Sequence, residues 1–248
     1  MEASKVIIVP DVHGRTFWKD GKTNVYNTES ELVIFLGDYL DPYEKDRNRA
    51  EIISNFEEII DFAYNNKEKT VLLLGNHDLQ YMHHLMLAGR KDTTNEGIIK
   101  DLFVKNYELF KILYALNIDN TDILFSHAPV LPGWIDICNR IITGILPNDM
   151  HELVKCLNSL WLAANNDNFP RIYGLLSFCS TLRGGLDKYG SPVWADISET
   201  QQIEGWYQIF GHTQLDSDDG YVSEKFACLD SRRCFTLDEI MQRCKVTG

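Results

Sequence analysis

Three aliphatic runs in the first third of the chain each stop at a cluster of polar side chains, and this repetition constrains the fold more than any other feature. Lys5-Val6-Ile7-Ile8-Val9 leads into Asp11-Val12-His13-Gly14, and Leu32-Val33-Ile34-Phe35-Leu36 into Gly37-Asp38-Tyr39-Leu40-Asp41. Val71-Leu72-Leu73-Leu74 leads into Gly75-Asn76-His77-Asp78. Unbroken runs rich in β-branched residues predict strands buried on both faces, as in parallel sheets. Between the second and third runs, Ile52, Ile53, Phe56, Ile59, Ile60 and Ala63 recur at helical spacing and predict an amphipathic helix from Arg49 to Tyr64. Strand, crossover, strand, helix, strand implies right-handed parallel units. Their carboxyl ends then share one edge, where open α/β sheets hold their ligands.

Further along, the spacing predicts a helix over Leu79–Leu87 carrying His83 and His84 as surface or packing residues, and another over Ile98–Leu116. Ile123-Leu124-Phe125-Ser126-His127 and Tyr207-Gln208-Ile209-Phe210-Gly211-His212-Thr213 repeat the pattern of a strand ending at histidine. The segment between them reads differently from Pro132 to about Ser198: a short Ile-rich helix, a stronger helix over Glu152–Ala164, and a Gly- and Ser-rich stretch around Arg183-Gly184-Gly185. It is expected to be a cap-like insertion at about 132–198 in a single domain spanning 1–248. The tail alternates as antiparallel strands would, Phe226–Leu229 and Cys234–Leu237 flanking Arg232-Arg233.

Composition narrows the classes. A net charge of −12 repels a phosphate backbone and disfavours nonspecific nucleic-acid binding. The six cysteines form no Cys-x-x-Cys pair, so reduced thiols are expected rather than a zinc knuckle or redox motif. The amino terminus enters a strand almost at once and no apolar stretch is long enough to span a bilayer, which predicts a cytoplasmic protein without a membrane partner.

Each polar strand end taken singly reads as an ordinary helix cap or a packed histidine. Together Asp11, His13, Asp38, Asn76, His127 and His212 are two carboxylates, three imidazoles and an amide oxygen, a ligand set for divalent transition metals. Six mixed ligands exceed the needs of one ion with a reactive water, so two ions about 3.5–4 Å apart with a shared carboxylate are expected. Asp38, central in chain order, is the candidate bridge. Without thiolates the ligand types admit Mn, Fe, Zn or Ni, with Mn favoured.

In their order, Asp-x-His, Gly-Asp-x-x-Asp, Gly-Asn-His-Asp, a lone strand-end His and Gly-His-Thr resemble the calcineurin-like metallophosphoesterase superfamily over residues 11 to 213. Gly37–Asp41 and the tail around Cys228-Leu229-Asp230-Ser231 are similar to its phosphoprotein phosphatase branch, especially bacterial members and diadenosine tetraphosphate hydrolases. The resemblance implies an α/β fold, a four-layer α/β/β/α sandwich of two mixed sheets flanked by helices. It implies that Asp11 and His13 hold one ion, Asn76, His127 and His212 the other, and Asp38 both. His77 then corresponds to a catalytic histidine protonating the leaving oxygen, with Asp41 orienting it, while a hydroxide bridging the metals attacks phosphorus. Two positions depart from the pattern. Gln214 stands where many members have a second histidine, and Pro42 where the branch has a phosphate-gripping arginine; Arg183 is the candidate replacement, with Arg47 and Arg49 behind it. The expected activity is hydrolysis of phosphomonoesters, with phosphoproteins among the candidate substrates. The alternative is a dinucleoside polyphosphate hydrolase, should Trp134, Trp161, Tyr173 and Trp194 stack bases. A nuclease ranks lower because of the net charge of −12 and the lack of a basic stripe, and a non-catalytic scaffold because the ligand positions and His77 are intact.

Overall fold

Every residue of β1 (Val6–Val9) and β2 (Leu32–Phe35) is buried, as are the last three of β3 (Thr70–Leu73). The computed structural model describes all residues except 1, 27–29, 45–46, 87, 142–148, 166–170 and 248. The three strands pair in parallel, Ile7 beside Val33 and Ile34 beside Val71. β4 (Phe110–Lys111) adds a further parallel edge. The second sheet has the order β5 (Tyr114–Ile118), β6 (Thr121–Phe125), β7 (Trp206–Phe210), β9 (Phe226–Cys228), β8 (Tyr221–Val222). In it β6, β7 and β9 are parallel neighbours and the two outer strands are antiparallel. At the β5–β6 hairpin Asp119 and Asn120 both have positive φ, 50° and 63°, as a two-residue turn matching strand twist requires.

The period of two in each strand divides its side chains between two cores. Val6, Ile8, Ile34 and Leu73 pack with Ile123, Phe125 and Ile209 of the other sheet. Ile7, Val9, Phe35 and Leu72 instead share a core with helical side chains. Each such side chain contributes about 1.5–3 kcal/mol on burial. The result is two mixed sheets flanked by helices.

Short α1 (Phe17–Asp20) follows the first strand loop and α2 (Arg49–Asn65) follows the second. α2 is capped by Asn48, whose side-chain oxygen accepts from Ala50 N, and buries the expected Ile52, Phe56, Ile59, Ile60 and Ala63. On the same face lies polar Asn55. Its Oδ1 accepts from Trp18 Nε1 and its Nδ2 donates to Arg15 O, both at 3.1 Å, so α2 tethers the loop carrying Asp11 and His13.

Three expectations need correction. The helix at Leu79–Leu87 is α3 (Asn76–Met82), beginning earlier and ending before His83, whose backbone is extended; Leu87 lies outside the described residues. His83 stacks on Tyr173 and His84, in keeping with packing histidines. The helix expected over Ile98–Leu116 is α4 (Glu96–Lys105) only; Phe110–Lys111 and Tyr114–Ile118 are strands. Here sheet pairing, Phe110 beside Leu72 and Tyr114 beside Phe125, overrides a helical spacing of apolar residues. Nor do the tail strands, expected to alternate as antiparallel strands, pair with each other. β9 joins the second sheet, whereas β10 (Phe235–Thr236) pairs antiparallel with β1 in the first, so the chain crosses between sheets through Asp230-Ser231. α8 (Leu237–Thr247) follows.

In the 132–198 segment, the Ile-rich helix is α5 (Pro132–Ile141), with residues 142–148 outside the described set; α6 (Met150–Ala164) and α7 (Arg171–Leu176) follow. Leu153, Leu157, Trp161 and Leu175 from these helices belong to the same core as the outward side chains of the first sheet. From α6, Asn158 reaches the β4–β5 connection: its Oδ1 accepts from Ile112 N at 2.9 Å and Leu113 N at 3.3 Å, and its Nδ2 donates to Leu113 O at 2.8 Å. Asn158→Ala strands these backbone groups, so urea unfolding should register a loss of about 1–3 kcal/mol.

Candidate functional site

The loops that follow β1, β2, β3, β6 and β7 converge at the carboxyl ends of their strands. Asp11, His13, Asp38, Asn76, His77, His127 and His212 are all buried there. Asp11, His13 and Asp38 offer ligand atoms lying within 4.8 Å of one another. Asp38 Oδ2 stands 3.6 Å from both His13 Nε2 and His127 Nε2. On the far side, His127 Nε2 is 3.1 Å from Asn76 Oδ1 and 3.1 Å from His212 Nδ1. The structure thus brings together all six expected ligand residues in two groups joined at Asp38.

Backbone geometry is bent to achieve this. His13, Asp38, Asp41, Arg90 and His212 have positive φ between 46° and 64°, an uncommon and strained region for non-glycine residues that persists where surrounding structure over-determines it. Two glycines permit the close approach. A Cβ at Gly211 would lie 1.9 Å from Asp11 Oδ1, and one at Gly75 would lie 2.1 Å from Asp38 Oδ1.

Hydrogen bonds settle which histidine nitrogens face inward. His13 Nδ1 donates to Leu40 O and His127 Nδ1 donates to Leu36 O, each at 2.9 Å, leaving both Nε2 atoms as lone pairs turned to the cluster. Among the described residues His13 Nε2 has no hydrogen-bond partner. Burial raises the pKa of Asp11 and Asp38 well above the ordinary carboxylate value, reinforced by the charges of Asp230 on Asp11 and Asp78 on Asp38. Burial likewise lowers His13 and His212 well below the usual imidazole value and His127 to about 3. Carboxylate oxygens and the unprotonated nitrogens of the histidines face one another across the cluster, and burial penalises the charge on each carboxylate. A divalent cation removes this mismatch, since it stabilises carboxylates and binds neutral imidazole lone pairs. The donor set therefore fits metal ions.

Beside the cluster, His77 Nδ1 lies 3.1 Å from Asp41 Oδ2. Asp41 is held in turn by Gln80 Nε2 and the Tyr81 hydroxyl, and Tyr81 accepts from Asp92 N at 2.8 Å. The pKa of His77 is lowered, chiefly by burial, with Asp41 opposing and the Arg90 charge assisting. Asp78 serves more than its own turn. It accepts from Gly75 N at 2.8 Å and from Asp38 N and Tyr39 N at 2.8 and 3.0 Å, clamping the second strand loop to the third.

Several neighbours escaped the reading of the sequence. Arg90 Nη2 donates to His77 Nε2 at 2.9 Å, and its guanidinium carbon lies 3.6 Å from the Tyr43 ring centre. Tyr43 meets His13 edge-on at 4.8 Å. Buried Asp230 arrives where the tail crosses between sheets and acts electrostatically on Asp11. No spacing signal links Arg90 or Tyr43 to the strand ends, and Asp230 entered only as part of the tail similar to the phosphatase branch, with no place in the site. Arg183 forms an ion pair with Asp196 at 2.8 Å and a hydrogen bond to the Thr213 hydroxyl, beside His212 in the chain. Arg47 donates to Gly14 O at 3.0 Å, and Arg49 is 3.5 Å from Asp92. Trp134, Trp161 and Tyr173 are core residues; Trp194 lies edge-on to His212 at 6.0 Å.

Two mixed sheets with candidate metal-ligand residues gathered at their strand ends match the architecture of the metallophosphoesterases. The model of the calcineurin-like phosphoesterase family matches residues 4–216, and the chain belongs to that family. No curated protein sequence matches it. Among solved structures it is similar to the phosphatase domain of the Legionella effector WipB, at 14% identity and a TM-score of 0.38, covering 61% of this chain and 56% of that one. It is also similar to a protein serine/threonine phosphatase from Saccharomyces cerevisiae with similarity to human phosphatase PP5, at 16% identity and a TM-score of 0.44, covering 92% of this chain and 69% of that one. The chain thus spans little more than half of the WipB domain.

Because protons compete with cations for these ligands, Mn2+ should raise the melting temperature more at pH 8 than at pH 5.5, as differential scanning fluorimetry would measure. Gly211→Ala, which drives a methyl group into Asp11, should lose most of that increase.

Proposed function

We propose that the chain is a metal-dependent phosphomonoesterase. The observation that carries this reading is the His77–Asp41 pair, buried and hydrogen-bonded at 3.1 Å beside a ligand cluster centred on Asp38. In this reading Asp11 and His13 hold one divalent ion, Asn76, His127 and His212 a second, and Asp38 belongs to both. Such ions, with Mn favoured, supply Lewis-acid stabilisation of phosphoryl charge and lower the pKa of water. The remaining roles fall to the chain's own groups. Asp41 keeps the proton of His77 on Nδ1 and orients the ring, so that Nε2 is the nitrogen able to exchange a proton with a leaving oxygen. Gln80 and Tyr81 hold Asp41 in place from α3, which limits rotation of the pair.

The substrate we infer is a phosphorylated hydroxyl compound, with phosphoserine, phosphothreonine and phosphotyrosine side chains in proteins as the leading class. The base-stacking alternative gains little support, since only Trp194 of the four aromatic residues is not fully in the core. We read residues 1–248 as one domain in which the 132–198 segment forms a wall of the site through Arg183, Trp194 and Asp196, with Arg183 contacting substrate at the His212 end. No helix among the described residues is long and apolar enough to cross a membrane, and no disulfide joins the six cysteines. A cytoplasmic setting is part of the same proposal.

With Mn2+, the protein should hydrolyse an aryl phosphate and a phosphopeptide faster than an aryl phosphodiester or a dinucleoside polyphosphate. In steady-state assays His77→Ala should lower kcat by about 10²–10⁴-fold. Asp38→Asn should abolish turnover, and Arg183→Ala should raise KM more than it lowers kcat. Equal rates for wild type and His77→Ala, or no turnover with Mn2+, Ni2+, Zn2+ or Fe2+, would reject the hydrolase reading.

A further inference from the structure

We propose that Arg90, outside every motif of the strand ends, is the residue that grips the substrate's phosphoryl group at the His77 end of the site. The proposal rests on the phosphomonoesterase reading and starts from a conflict at one nitrogen. His77 Nδ1 is engaged by Asp41, so Nε2 alone is left to pass a proton to a leaving oxygen. Yet Arg90 Nη2 already donates to Nε2 at 2.9 Å. A nitrogen that accepts from a guanidinium cannot at the same time donate to a leaving oxygen, so Arg90 must have another partner during turnover. The group that arrives at this point with spare acceptors is the phosphoryl group. A guanidinium fork matches two of its oxygens, and a dianion is a far stronger partner than a neutral imidazole.

The surroundings of Arg90 suit this exchange. Its side chain lies at the exposed rim, open to an incoming anion, while the guanidinium rests 3.6 Å from the Tyr43 ring centre. Tyr43 in turn packs edge-on against His13 at 4.8 Å, which sets the cation beside the candidate metal ligands. Among the described residues Arg90 has no carboxylate within salt-bridge distance, whereas Arg183 is paired with Asp196 and Arg49 with Asp92. The backbone is arranged for it as well. Arg90 has a φ of 50° and follows Gly89 at 76°, in a turn that Gln80 fastens by donating to Gly89 O at 3.1 Å and accepting from Ala88 N at 3.2 Å. Gln80 also donates to Asp41, so one side chain sets both the orienting carboxylate and the arginine turn. Pro42, immediately after Asp41, offers no cation, and Arg90 supplies one from another loop. On phosphate binding Arg90 leaves Nε2 for the phosphoryl oxygens, and His77 becomes free to act only when substrate is present.

The test measures binding of inorganic phosphate to the Mn2+-loaded protein by calorimetry, alongside steady-state kinetics with an aryl phosphate. For Arg90→Ala, the phosphate dissociation constant and KM should each rise by about tenfold or more, with a smaller fall in kcat, and Arg90→Lys should recover part of the loss. A melting temperature close to wild type for either variant separates this from misfolding; if Arg90→Ala does not fold, Arg90→Lys carries the comparison. Unchanged phosphate affinity in the folded variant, or no phosphate binding by wild type, overturns the assignment. If wild type binds phosphate through Arg90 yet hydrolyses no phosphomonoester, the hydrolase reading fails and the assignment of Arg90 stands.

Discussion

The carboxylate of Asp78 is the interaction on which the rest of the site depends. It is fully buried and accepts three backbone N–H groups, one from its own turn and two from the loop after β2. Those two donors belong to Asp38 and Tyr39, so the bond fixes Asp38 in a positive-φ conformation that an isolated loop would abandon. Asp38 Oδ1 then accepts from His77 N at 3.0 Å, closing a ring of contacts between neighbouring parallel strands. Remove this clamp and the ligand cluster loses the position of its central carboxylate, while the turn that begins α3 loses its cap.

Around that clamp, the site concentrates groups whose ordinary ionisation states are costly in a buried setting. Burial alone would favour neutral Asp11 and Asp38, and it keeps the inward histidine nitrogens unprotonated. Such an assembly is poor as a purely structural core, where apolar side chains of similar volume would be at least as stable. It is a suitable host for cations, which favour the ionised form of the carboxylates and bind the unprotonated histidine nitrogens that burial already provides. Strain at His13, Asp38 and His212, and the absence of side chains at Gly75 and Gly211, belong to the same compromise between stability and ligand geometry.

The fold was legible where one strand's own residues carry the signal. β1, β2 and β3 appear as apolar runs because they are buried on both faces or nearly so, β6 and β7 end in buried apolar residues, and a side chain of the site follows each strand within three residues. α2 was legible for a similar reason, its apolar period of 3.6 being uninterrupted from Ile52 to Ala63. The segment from Tyr107 to Ile118 was not. Its apolar residues fall at helical spacing, and what makes it strand is an edge offered by β3 and a partner offered by β6, neither encoded locally. The tail misled in the same way, since its two strands alternate as antiparallel strands would but find partners in different sheets.

By itself, the sequence determined which residue types end each buried strand, and therefore the family, the sheet edge that carries the site and the six candidate ligands. Strand periodicity and ligand chemistry are local properties, readable a few residues at a time. Only the tertiary structure decided which nitrogen of each histidine faces the cluster, that Asp78 reaches across to Asp38, and that Arg90, Tyr43 and Asp230 stand beside it. Those relations join residues from separate loops, and they arise from sheet register and loop packing that no single stretch of the chain contains.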